Sequence, residues 1–382
     1  MRVALVVTLL LATAAGMAAT VSVGPGPPDA IAVAAKGLQP GDMLLIKAGA
    51  YAGNIALNLH GTAEQPITIR AAGDGPVIIE GRAEAKSGWQ PVVEHAGVYV
   101  TADAGPVAGV MLDLPDSPWG VDDVPACRDL DALARAYQGY WLDAAGQRLY
   151  ARIAAGASLA GHAVWVMRDG CGLAVTGEHL RIAGLTLRRF AGSGISVSSA
   201  RNVTLEHCTV SHCGAVWSAG IQLGKTAEVT VADCVLYRVR NGVLAQDADG
   251  TRLTHNTIYH TRAHGVYLVS GSGAVLRDNI IFAGGGSGSA LYVGPPAAAG
   301  LQSDHNCFLD TRTSALISWM PLGLRFATFW DYQQTIAGQD EHSFSADPLF
   351  VSTAPGQEDF RLKTDSPCRG KASDGGEVGV RW

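Results

Sequence analysis

Charge and aromatic rings are scarce in this chain. Of its 382 residues only 16% are Asp, Glu, Lys or Arg, and 7% are aromatic, while 48% are hydrophobic. So little charge with so much apolar content excludes an intrinsically disordered protein. Positive charge is in the minority, with a net charge of −6, so the surface as a whole is not built to hold nucleic acid. Beyond residue 19 no apolar run approaches the ~20 residues that a membrane span needs. CxxC pairs and zinc-ligand spacings are missing, and the seven Cys are an odd number, so at least one thiol has no partner within the chain. Glycine, by contrast, is abundant: 47 residues in a chain where a helical bundle would have few, because Gly is costly inside helices.

The first residues, MRVALVVTLLLATAAGMAA, combine a positive start at Arg2, an apolar stretch from Val3 to Leu11, and small residues before Ala19. That order reads as a cleavable signal peptide over residues 1–19, which implies a secreted or periplasmic protein.

From Leu173 onward one unit recurs. Its second strand reads LRIAGLTL, VTLEHCTV, VTVADCVL, TRLTHNTI, AVLRDNII and LQSDHNCF; its first strand reads ISVSS, IQLGK, VLAQD, VYLVS and LYVGP. The first strands start at Ile195, Ile221, Val243, Val266 and Leu291, so the spacings are 26, 22, 23 and 25 residues. Strict alternation with branched residues makes these strands, and a period of 20–30 residues stacks them as coils of a solenoid. A column of Asn256, Asn279 and Asn306 marks a shared turn, since Asn tolerates left-handed backbone and passes side-chain hydrogen bonds between rungs. Cys208 and Cys234 hold the same slot in earlier rungs, close enough for a disulfide if the side chains face each other. Residues 88–165 break the period, so the expected organisation is a cap with the first coils (20–87), an inserted α+β segment (88–165), central coils (166–310) and closing coils (311–382). A helix is expected over Asp129–Tyr137, and another, capping the first coil, over Ala30–Leu38.

These segments resemble the right-handed parallel β-helix superfamily, the pectate-lyase-like fold. Pro40–Gly81, PGDMLLIKAGAYAGNIALNLHGTAEQPITIRAAGDGPVIIEG, resembles the first coils of polysaccharide lyase family 6, which holds alginate lyases and chondroitinase B. WDYQQTIAGQDEHSFSADPLF at Trp330 and DFRLKTDSPCRGKA at Asp359 resemble the closing coils of secreted β-helix proteins. The resemblance implies an all-β solenoid that binds a polysaccharide along its first strands, and a monomer is expected. In that family a Lys acts as base, an Arg one coil later assists, and Asn with Glu residues hold calcium. Here Lys225 sits one residue past the matching position, Gln246 stands where the Arg would be, and the approach SAGIQL has no Glu pair. No cofactor is therefore expected; calcium stays open as an alternative that the matching positions do not support.

Alternation puts Ser196, Gln222, Leu244, Tyr267 and Tyr292 outward in one column, with Gln246 in the next. The returns before those strands carry two basic columns, Arg189–His212–Arg238–His260 and Arg240–Arg262. Like charges on neighbouring rungs repel unless an anion sits among them, which points to an acidic glycan. The expected catalytic set is His264, Tyr267, Lys225 and His260, with His264 as base and Tyr267 as acid. The expected substrate-binding set is Arg238, Arg240, Arg262, Gln222, Gln246, Tyr292 and Trp217. A third column, His207, Asp233, His255, Asp278 and His305, reads as a structural ladder at the turn.

The inventory favours β-elimination on a uronate-containing glycan, because the groove is rich in Lys, Arg, His and Tyr but short of opposed carboxylates. Two alternatives stay open. One is a glycoside hydrolase drawing acids such as Asp113, Asp116, Asp122 or Asp123 from the insertion. The other is a non-catalytic carbohydrate-binding β-helix.

Overall fold

The structure is a computed structural model. It describes residues 8–9, 18–81, 83–103, 105–113, 121–153, 158–159, 163–168, 170–214, 218–283, 288–310, 315–354 and 356–382. The expected signal peptide, apart from Thr8–Leu9 and Ala18–Ala19, lies outside these residues. No helix among the described residues is long and apolar enough to cross a membrane.

The chain winds as a parallel β-solenoid. Ile195, Ile221, Val243, Val266, Leu291 and Ile317 stack in parallel register, and each is fully buried. Alternation produces this directly: one side chain in two points into the coil, and a one-residue slip would turn the whole apolar set outward. The glycine before each first strand is fixed by rung spacing. A Cβ on Gly242 would lie 2.4 Å from the Gly265 carbonyl oxygen, and one on Gly265 would lie 2.6 Å from that of Ala290.

The Asn column forms a continuous ladder. Asn279 Oδ1 accepts the Asn256 N–H at 3.0 Å, and Asn306 Oδ1 accepts the Asn279 N–H at 3.0 Å. Asn306 is succeeded by Asp340 and Ser343, whose side chains close the ladder through Ser343 Oγ on the Asn306 N–H at 2.8 Å. Cys208 and Cys234 occupy the slot above it as free thiols, with the Cys208 N–H donating to Cys234 Sγ at 3.4 Å.

Parallel pairing runs directly across residues 83–167: Leu173–Glu178 lies beside Ile55–His60, and Leu185–Arg188 beside Val77–Glu80. The intervening chain forms two four-stranded antiparallel sheets around Val110, Val124, Leu149, Ala151, Val164 and Val166. Its first strand, Ala83–Lys86, already belongs to these sheets. Its helix spans Leu130–Arg135, with Asp129 Oδ1 accepting the Ala132 N–H at 2.6 Å, as an N-cap carboxylate does. The N-terminal helix spans Ala30–Ala35 and packs on the first coils.

The C-terminal part of the chain closes the solenoid in two ways. After Ile317–Trp319, the strand Leu324–Phe326 reverses and pairs antiparallel with it, and the helix Phe329–Thr335 sets Tyr332 against Trp319 and Phe326 over the open core. The last segment then returns along the second sheet, where Phe350, Phe360, Leu362, Val378 and Val380 cover Val235, Ile280 and Cys307. One outer face is thereby sealed; on the face carrying the outward column of the first strands, Gln222, Tyr267 and Tyr292 are partly exposed while Leu244 and Ser318 are buried.

Candidate functional site

The outward column is in register: Ser196, Gln222, Leu244, Tyr267, Tyr292 and Ser318 lie side by side on successive rungs. Rungs lie ~4.8 Å apart, so Tyr267 and Tyr292 are forced into contact, with ring centroids 4.7 Å apart and planes at 78°. His264, in the return leading to Val266, completes a three-ring cluster at 4.4 Å from Tyr267 and 5.0 Å from Tyr292.

One hydrogen bond fixes the His264 backbone and another its imidazole. Asn241, one rung earlier, accepts the His264 N–H at 3.1 Å, and Ser289, one rung later, donates its N–H to His264 Nδ1 at 3.0 Å. An acceptor at Nδ1 leaves the ring proton on Nε2. Burial pushes the His264 pKa down to about 4, helped by the positive charges of Arg325 and Arg240. At neutral pH His264 is thus an uncharged N–H donor. Burial, with Tyr292 beside it, raises the Tyr267 pKa, so its phenol keeps the proton. This changes the roles expected from sequence: His264 Nδ1 is already engaged, and the free nitrogen donates rather than accepts.

Arg325 went unnoticed in the sequence. It lies opposite Ser318 in an antiparallel pair, which puts both side chains on one face, two strands beyond Tyr292 in the same column. The repeat could not reveal it, because the chain reverses direction there. Further along the column, Ser193 Oγ donates to Gln222 Oε1 at 2.8 Å, so Gln222 joins the same face.

The other expected residues do not meet this cluster. Arg238 is buried against the C-terminal segment, with Nε donating to Glu358 Oε1 at 3.1 Å. His260 stacks on Tyr259 at 4.2 Å and on Phe282 at 5.0 Å, on the sealed face. Its column mates are likewise committed: Arg189 pairs with Glu80 and lies 4.4 Å over the Trp165 ring, and burial among arginines lowers the His212 pKa to about 3. All four column residues have φ between 50° and 64°. They are the left-handed corner residues of their rungs, not a rim of the groove. Arg262 reaches back two rungs, where Nη2 donates to the backbone carbonyls of Cys213 and Gly214. Lys225 is exposed, and the register places it six residues along the strand direction from His264, ~20 Å, at the opposite end of the sheet. Gln246, exposed, lies on that side too. Trp217 and the side chains of Asp113, Asp116, Asp122 and Asp123 lie outside the described residues.

The Lys225 end has its own cleft of about 550 Å³, lined by His60, Glu178, Arg201, Lys225, Asp247 and Asp249. Its carboxylates are partly engaged: Ser270 Oγ donates to Asp247 at 2.7 Å and Ser272 Oγ to Asp249 at 2.9 Å.

Comparison with known proteins agrees with this architecture. Residues 171–320 match the family described as right handed beta helix region. The chain is a right-handed parallel β-helix. In this β-helix, residues 29–110 match a second family, chondroitinase B. No curated protein matches the sequence. Among solved structures, an alginate lyase from Paenibacillus sp. str. FPU-7 is 14% identical, with 78% of this chain and 90% of that one covered and a TM-score of 0.43. A pectate lyase is 12% identical, with 92% and 90% covered and a TM-score of 0.43. A family 28 exopolygalacturonase from Yersinia enterocolitica is 14% identical, with 76% and 64% covered and a TM-score of 0.33.

Proposed function

We propose that this β-helix is an exported polysaccharide lyase that cleaves an acidic, uronate-containing glycan by β-elimination on its open face. The observation that carries the reading is the cluster of Tyr267, Tyr292 and a neutral His264 within 4.4–5.0 Å of one another, with Arg240 and Arg325 close enough to depress the imidazole. The match of residues 29–110 to chondroitinase B supports the same class of substrate.

β-Elimination needs the uronate carboxylate neutralised, a base for the C5 proton, and an acid for the leaving oxygen. Arg325 and Arg240 supply the positive charge, and the His264 Nε2–H donates to the carboxylate without adding a charge of its own. Tyr267, held protonated, gives its proton to the glycosidic oxygen as the C4–O bond breaks. Tyr292, on the Arg325 side of the pair, gives its phenol proton to solvent beforehand and, as the phenolate, takes the C5 proton as the C4–C5 double bond forms. The ring pair also offers a face on which sugars stack.

The test is a panel of alginate, polygalacturonate, chondroitin and dermatan sulfates, read by ultraviolet absorbance of the unsaturated product. Wild type should produce it on one of them. Tyr267→Phe should lose roughly 10²-fold or more in turnover while still binding the glycan. Full activity in that variant, or no unsaturated product on any acidic glycan, overturns the reading. Reducing ends released without ultraviolet absorbance would move the chemistry to hydrolysis, for which the cleft holding Glu178, Asp247 and Asp249 is the alternative site. Retention of a glycan without turnover would leave a binding protein.

A further inference from the structure

The corner column that runs His207, Asp233, His255, Asp278, His305 is a structural ladder over most of its length. Asp233 holds Arg381 at 3.0 Å, Asp278 holds Ser373, and His255 Nε2 lies 3.5 Å from Asp278. The last rung departs from this pattern. There Asp304 and His305 meet His342, from the segment that follows the helix Phe329–Thr335, and one ligand atom from each lies within 4.8 Å of the others.

The hydrogen bonds orient these three groups toward a common point. Asp304 Oδ1 accepts two backbone N–H groups, those of His305 at 2.9 Å and His342 at 2.7 Å. That leaves Oδ2 facing both imidazoles, 2.7 Å from His342 Nδ1 and 3.8 Å from His305 Nε2. On the far side of its ring, His305 Nδ1 lies 3.2 Å from the Lys371 carbonyl oxygen, which can only accept. His305 Nδ1 therefore donates to that carbonyl, and Nε2 is the ring nitrogen that faces the Asp304 carboxylate. A cation held between Nε2 and Oδ2 would be attracted by the carboxylate and would take the imidazole nitrogen as a ligand. The two rings are also stacked, 4.9 Å apart at 9°.

We propose that Asp304, His305 and His342 bind one divalent transition-metal ion, of which Zn²⁺ fits best. Two imidazoles and one carboxylate are a mixed nitrogen–oxygen set, suited to zinc and its neighbours and unsuited to calcium or magnesium, which take oxygen ligands. The His305 Nδ1–H bond to a backbone carbonyl is the second-shell contact that metal-bound histidines make. Zn–N and Zn–O bonds of ~2.0–2.1 Å need the donor atoms nearer than they now stand. His342, 63% exposed, is the ligand free to turn out of the stack and close the site.

The ion would act as a clamp. His342 is two residues from Asp340 and one from Ser343, the groups that close the Asn ladder on the last coil. Joining His342 to Asp304 and His305 would fasten that plug to the end of the solenoid.

The experiment uses the untagged full chain, titrated calorimetrically with ZnCl₂ and, separately, CaCl₂ at neutral pH. The cobalt-substituted protein reports ligand geometry by its visible spectrum. The expected result is one Zn²⁺ per chain with a rise in Tm, and no calcium heat. His342→Ala should keep the metal-free Tm, because the side chain is exposed, and bind zinc roughly tenfold more weakly or worse. Asp304→Asn should abolish the cobalt bands. Equal zinc affinity in wild type and His342→Ala, or no stoichiometric binding by wild type, overturns the assignment.

Discussion

Lowering the pH should destabilise this protein well before its carboxylates titrate, through two imidazoles. In the folded chain the His264 pKa is pushed down from 6.5 to about 4 by burial and by Arg325 and Arg240. That of His212 is pushed down to about 3 by burial and by Arg238, Arg189 and their neighbours. The unfolded chain has no such constraint and takes up protons near pH 6.5. Stability is therefore complete above about pH 6.5 and drains away as the pH falls, because only the unfolded state gains protons over that interval. Between pH 7.5 and pH 5, linkage puts the loss at about 2 kcal/mol for each histidine. Equilibrium or kinetic unfolding in urea, compared at the two pH values, measures the sum. His264→Asn removes the titrating ring, so its acid loss should be smaller by about 2 kcal/mol. Turnover on the open face should follow a different course, since the Nε2–H donor persists down to about pH 4. A His264→Asn protein that loses as much stability as wild type between these pH values, or a His264 NMR titration near 6.5, refutes the reasoning.

The Asn ladder predicts a second effect. Asn279→Ala strips the acceptor from the buried Asn256 N–H and the donor from the Leu253 carbonyl, both bonded at 2.8–3.0 Å. Two orphaned groups at about 1–3 kcal/mol each should lower the urea midpoint by a loss of roughly 2–6 kcal/mol. Asn279→Cys should cost less, because Cys234 already serves as acceptor in the same slot; equal losses would discount the ladder. Arg238 gives a third. Its side chain is 4% exposed and paired with Glu358, so Arg238→Ala should cost about 3–5 kcal/mol of stability and leave KM for the glycan unchanged. A raised KM at unchanged Tm would restore it to the groove.

The solenoid was legible because its signals are redundant. A branched residue at Ile195, Ile221, Val243, Val266 and Leu291 can only be satisfied by stacking, and any register error would expose all of them together. Tyr267 above Tyr292 followed from the same count. The basic returns failed for a reason that local sequence does not carry. A left-handed residue turns the chain sharply, and what then covers its side chain depends on distant segments. For Arg238 that segment is Glu358, 120 residues on; for His260 it is the aromatic surface shared by Tyr259, Phe282 and Phe350. Arg262 looked like an anion ligand by residue type, yet the carbonyls of Cys213 and Gly214, some 48 residues earlier, supply its acceptors. Arg325 was invisible for the converse reason, since its strand runs against the repeat.

These misplacements share a cause that also sharpens the functional reading. The chain closes its second sheet with its own C-terminal segment, burying Phe350, Phe360, Leu362, Val378 and Val380 there, so cations on that side are consumed by internal partners such as Glu358 and Glu80. Among the described residues the C-terminal segment does not cover the first-strand face, and its column changes character along the solenoid from Ser196 and Gln222 to Tyr267 and Tyr292. Partly exposed aromatic rings are not needed to stack coils, which the buried Val266, Leu268, Leu291 and Val293 already do. Nor does packing need an imidazole whose proton is fixed on Nε2 by a backbone N–H from the next rung. What the combination of that donor, two phenols and the charges of Arg240 and Arg325 does suit is a flat sugar ring bearing a carboxylate.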